Sequence, residues 1–177
     1  MLRTRKPNHE NLQTLGDERI RTLVRELASR DVLTMQRARE SLITLGKTAL
    51  PELLQAANDP NDQVRWEAIR VLGEIRDSST APALVEALTD QNFVVRWIAS
   101  EALASMGRRA LIPLLRKLVE HPESVWLRRG THRVLRVESR GELAKILDPV
   151  VRALEGIQPT LQVPFAAINA LHELQNR

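Results

Sequence analysis

Four prolines set the period of this chain. Pro51, Pro82 and Pro113 are each 31 residues apart, and Pro149 follows after 36. Each stands just ahead of a similar apolar run: Leu53-Leu54, Leu84-Val85, Leu114-Leu115 and Val150-Val151. A second set, Pro60, Pro122 and Pro159, falls nine or ten residues later, where a turn belongs. Proline has no N–H to donate and a fixed φ, so it marks the starts and interruptions of helices. Self-similarity at a fixed period of this size is the signature of stacked two-helix units. Leu, Ala, Arg and Glu dominate the sequence, and these residues favour helix over strand.

Each turn leads into a second helix with its own pattern. It reads Val64-Ala68-Leu72-Ile75, then Val95-Ala99-Leu103-Met106. Related copies are Ala38-Leu42-Leu45, Leu127-Thr131-Leu135 and Val163-Ala167-Leu171-Leu174. The i, i+4, i+8, i+11 spacing puts these side chains on one helical face. Gly46, Gly73 and Gly107 are expected to close three of these helices. The pattern gives five pairs, at about 17–45, 46–75, 76–107, 108–138 and 139–177. Asp17 is the expected N-cap of the first helix. Residues 1–16, with Arg3, Arg5 and Lys6, carry no repeat and read as a flexible basic arm. The fourth repeat, with Gly130 and Thr131 at core positions, is expected to be the least well packed.

Asn61-Asp62-Gln63-Val64-Arg65-Trp66-Glu67-Ala68, ending in Leu72-Gly73-Glu74-Ile75, resembles the HEAT-like repeat of the phycobilisome-lyase type. So does Val95-Arg96-Trp97-Ile98-Ala99. The resemblance is carried chiefly by the second and third repeats. It implies an armadillo-like stack in which residues 61–75 and 92–106 line the concave side. One helix pair cannot bury its apolar stripe alone, so neighbours must stack, and the expected fold is an all-α, right-handed α-solenoid. The resemblance also implies that the Arg after each leading apolar residue (Arg65, Arg96, Arg128) is structural. It would bond an acid or carbonyl of a neighbouring turn, with Asp59, Asp62 and Asp90 suitably placed.

A helical wheel then predicts what faces the groove. Trp66, Trp97, Arg129 and Phe165 share one exposed repeat position, and Arg70, Glu101 and Arg133 share a second, with Ile98 beside Trp97. Two arrangements satisfy the pattern. The aromatics either form a ladder of anchors for a partner, since Trp and Arg are enriched among binding hot spots, or lie sideways and seal the stack.

The chemistry a sequence like this excludes is broad. Cysteine is absent, which removes disulfides, thiolate metal sites and thiol catalysis together. His9, His121, His132 and His172 share no metal-ligand spacing, and no phosphate loop or nucleophile elbow appears. Glu67 and Glu101 are groove carboxylates without an evident pocket. No catalytic residue, metal or cofactor is expected. The N-terminus has cations but no apolar core, so no signal peptide is read, and no run is long enough to span a membrane. The expectation is a cytoplasmic, non-catalytic protein–protein interaction scaffold that grips a peptide or helix of another protein. A net charge of +4 permits nucleic acid as a partner without demanding it. The alternatives are a nucleic-acid binder of the HEAT-like DNA glycosylase kind and a bilin-lyase-like chaperone of a chromophore-bearing protein. Self-association through the exposed aromatics is a further use of the same surface.

Overall fold

The computed structural model describes residues 9–176, with side chains from Gly16 onward. Among these residues there are ten α-helices in five consecutive pairs and no strand. The pairs are α1 (His9–Glu26) with α2 (Val32–Leu45), α3 (Leu50–Ala56) with α4 (Asp62–Ile75), and α5 (Ala81–Glu86) with α6 (Phe93–Met106). Next come α7 (Arg108–Glu120) with α8 (Val125–Glu138), and α9 (Glu142–Glu155) with α10 (Pro159–Gln175). Of the expected flexible basic arm at residues 1–16, residues 1–8 lie outside the described residues, and residues 9–16 are corrected to helix, the start of α1. Helix α1 already begins at His9, so Asp17 sits inside it and is not its N-cap.

Local chemistry accounts for where the helices begin. Asp31, Asn61, Asn92 and Ser124 precede α2, α4, α6 and α8 in extended conformation, and each accepts a hydrogen bond from a first-turn backbone N–H. Such a residue satisfies a donor that the helix itself leaves orphaned. Pro51 and Pro82 stand in the first turns of α3 and α5, where a missing N–H is harmless. Pro113 and Pro149 lie inside α7 and α9, because in those repeats the helix starts a turn or more before the proline.

The helices form two layers. In the first four pairs, α2, α4, α6 and α8 stack side by side, and α5 and α7 stack behind them. One apolar cluster runs through the stack from Ile20 to Ala170 and includes Val64, Ala68, Leu72, Val95, Ala99 and Leu103. The last pair is reversed. Helix α9 lies along α8, while α10 packs along α7 and α9. Val163, Ala167 and Ala170 form the buried face of α10, and small side chains allow that close approach. The position facing out beside α8 therefore belongs to α9, and the expectation that α10 would continue the α4–α6–α8 row is corrected.

Two further expectations change for reasons of packing. Gly46 and Gly107 do close α2 and α6, at φ 55 and 59. Gly73 does not close α4; that helix runs on to Ile75 and is capped by Arg76 in the left-handed region. Gly73 is instead a contact point, since a Cβ there would lie 2.5 Å from the Cβ of Ala102 on α6. Glu67 is not a groove carboxylate. It is fully buried, and the Arg39 guanidinium of the preceding repeat donates to both its oxygens at 2.9 and 2.6 Å. A buried carboxylate requires such a two-pronged partner to offset its lost hydration.

In the fourth repeat, Gly130 admits Leu88, whose Cδ2 would lie 2.7 Å from a Cβ at that position. Thr131 is buried there with a hydroxyl that has no partner among the described residues.

Candidate interaction surface

The arginine that follows each leading apolar residue fastens its own turn. Arg65 Nη1 donates to the carbonyls of Asp59 and Pro60 at 2.9 and 3.1 Å. Arg96 Nη1 repeats this with Asp90 and Gln91 at 2.6 and 2.9 Å, and Arg128 donates to the carbonyl of Pro122. Arg65 also forks across to the Asp90 carboxylate of the next repeat, at 2.8 and 3.0 Å. Burial pushes the Asp90 carboxyl up, but the Arg65 fork and the Asn92 N–H outweigh it, leaving it below the usual range. Asp62 accepts from the Asn92 amide at 2.5 Å, a second tie between the same turns.

The exposed side of α4, α6 and α8 carries the aromatic residues. Trp66 is half-buried against the core, with the Arg70 guanidinium 5.1 Å from its ring centre. Trp97 is 46% exposed, and Arg133 from the next repeat stacks over it at 3.6 Å. Arg133 Nε also donates to Glu101 at 2.8 Å, which ties that carboxylate down. Ile98 is partly buried against the core, and Arg129 is exposed with no hydrogen bond or ion pair among the described residues. Phe165 is 73% exposed, but it lies on the face of α10 turned away from α7 and α9. It does not continue the row of Trp66 and Trp97, because the last pair is reversed.

The helical wheel passed over four exposed residues, of which Phe93 and Trp126 complete the surface. Phe93 and Val94 open α6, and Val125 and Trp126 open α8; Phe93 is 63% and Trp126 43% exposed. The Phe93 and Trp97 rings sit 6.1 Å apart, and the Arg96 guanidinium lies 5.8 Å from Phe93 and 4.4 Å from Trp126. The result is a cleft of about 270 Å³ between α6 and α8, with Leu88 and Gly130 also in its lining. The signal was present in the sequence: an apolar pair directly after a capping residue, at Val32-Leu33, Phe93-Val94 and Val125-Trp126. First-turn residues have no preceding turn of their own helix to cover them, so their exposure depends on the neighbouring repeat.

Among the described residues, no group of three or more His, Asp or Glu side chains is placed to hold a metal ion. No described helix is long and apolar enough to cross a membrane.

Paired helices stacked in two layers over one continuous core define an α-solenoid repeat protein. Residues 50–136, just under half of the chain, match the family model described as HEAT repeats, which supports a HEAT-like repeat architecture. The solved structure of a designed armadillo repeat protein is similar at 17% identity, covering 96% of this chain and 95% of that one, with a TM-score of 0.41. A search of curated proteins finds no match.

Proposed function

We propose that this solenoid is a non-catalytic protein-interaction scaffold whose binding surface is the cleft between α6 and α8. The observation that carries this reading is the gathering of exposed Phe93, Trp97 and Trp126 around one cleft between two adjacent repeats. An exposed tryptophan forgoes roughly 2–3 kcal/mol of burial, and contiguous apolar patches on soluble proteins mark interaction sites. The aromatic–arginine composition is that of interface hot spots. Arg129 and Arg133 line this cleft, and Arg70, Ile98 and Glu101 line a neighbouring hollow that shares Trp97 with it; Trp66 lies against Arg70, and Phe165 is on α10.

The other readings draw less support. Glu101, the acid a glycosylase-like mechanism would use, is engaged by Arg133. The bilin-lyase reading rests on repeat type alone, and a cleft of this size suits one side chain rather than an extended pigment.

The test is affinity capture from cell lysate with wild type and with a Trp97→Ser/Trp126→Ser variant, circular dichroism confirming that both are folded. A protein retained by wild type and lost by the folded variant is the expected result. An unchanged set of captured proteins would show that the aromatics serve the stack alone.

A further inference from the structure

Comparing two successive repeats shows a carboxylate that one arginine has and the next lacks. Arg65 is forked onto Asp90. Arg96 occupies the same place one repeat later, but the following turn offers His121 and Pro122 there. Among the described residues Arg96 has only carbonyl acceptors, both on Nη1, and its Nε and Nη2 have no acceptor. The guanidinium lies between the rings of Phe93 and Trp126, at the wall of the cleft. Arg129 lines the same cleft and likewise makes no ion pair among the described residues. Arg133 is the third cation in the lining, and no acid joins them; Glu101 lies outside, engaged by Arg133.

The geometry points to an acidic peptide segment as the occupant, with one large apolar side chain in the cleft against Leu88 and the aromatic ring edges and a flanking carboxylate on Arg96 and Arg129. This assignment rests on the scaffold reading and specifies the chemistry of its partner. The apolar lining selects an apolar anchor, since a bare polyanion would leave the rings exposed to water. Arg96 and Arg129 form no hydrogen bond to a carboxylate among the described residues, although Arg96 feels the Asp90 charge across the turn. Both select against cations and for a carboxylate, which matches guanidinium fork geometry. The volume of about 270 Å³ is below that of drug-sized pockets and admits a single side chain. Single-stranded nucleic acid suits the surface less well. Base stacking needs open ring faces, and one face of Trp97 and one of Trp126 are already taken by Arg133 and Arg96.

The test uses fluorescence anisotropy of two short labelled peptides that share a Leu–Phe anchor and differ only in flanking Glu or Lys residues, with a single-stranded oligonucleotide as third probe. The Glu-flanked peptide is expected to bind, to weaken with added salt, and to lose on the order of tenfold in affinity with Arg129→Glu. The exposed Arg129→Gln variant is expected to lose less, and Arg129→Glu should gain binding of the Lys-flanked peptide. Equal binding of both peptides would overturn the acidic assignment while leaving the scaffold reading in place. Binding of neither peptide overturns the occupant proposed here, and the lysate capture then judges the scaffold reading separately. Tighter binding of the oligonucleotide than of either peptide would overturn both.

Discussion

Replacing Gly73 with alanine sets helix propensity against packing, and the structure decides which prevails. In the interior of an isolated helix the change stabilises by about 1 kcal/mol, because alanine loses less conformational entropy than glycine. Here the new Cβ would lie 2.5 Å from the Cβ and 3.1 Å from the Cα of Ala102. Carbon atoms rest at about 3.5–4.0 Å, so α4 and α6 must part locally by about 1 Å. A methyl and backbone on a packed helix cannot swing aside as the end of a long side chain would. Overpacking of this kind costs about 1–3 kcal/mol, and the rigid neighbour places it in the upper part of that range. The net expectation is a loss of about 1–2 kcal/mol, a fall in Tm of about 3–6 °C for a chain of this length. Thermal and urea denaturation followed by circular dichroism measure it directly. The Gly73→Ala/Ala102→Gly pair removes the Cβ–Cβ clash, keeps the tight 3.1 Å contact with the Cα and exchanges one propensity term for the other, so it should recover most of the loss. A Gly73→Ala protein more stable than wild type, or a double variant as unstable as the sum of its parts, would refute the reasoning.

Three other outcomes are expected. Arg39→Met leaves the Glu67 carboxylate buried without its counter-charge, which should cost about 3 kcal/mol in urea denaturation, while Arg39→Met/Glu67→Leu recovers most of it. Thr131→Val replaces a buried hydroxyl that has no partner among the described residues with a methyl of the same shape. It should raise stability by about 1 kcal/mol, and a lower urea midpoint would contradict that. Because the folded Asp90 carboxyl titrates below its ordinary value, its contribution is complete above the unfolded value and is lost as pH falls through the folded one. The urea midpoint of wild type should therefore drop on acidification below about pH 4. The drop should be smaller in Asp90→Asn, and parallel profiles for the two proteins would refute the assignment.

The repeat and its core faces were legible in the amino-acid order. Val64, Ala68 and Leu72, then Val95, Ala99 and Leu103, are buried as their spacing requires. Periodicity is a local property: it states which side chains share a face of one helix, and a stripe of apolar residues must be covered by something. The turn chemistry is equally local, which is why proline and the capping Asn or Ser residues mark the pairs. What covers each stripe is not local. The reversal of α9 and α10 depends on how small-residue faces fit against α7, and it removes Phe165 from the row that its repeat position suggested. A single-helix wheel makes Glu67 and Trp66 look much alike, but the arrival of Arg39 buries one as an ion pair while the other stays half-exposed. Gly73 reads as a helix end until Ala102 is placed against it. The cleft itself, built from first-turn residues of two repeats, exists only where α6 and α8 meet. Exposure is set by the offset between neighbouring helices, and that offset is a property of the packed stack that no segment of the chain specifies alone.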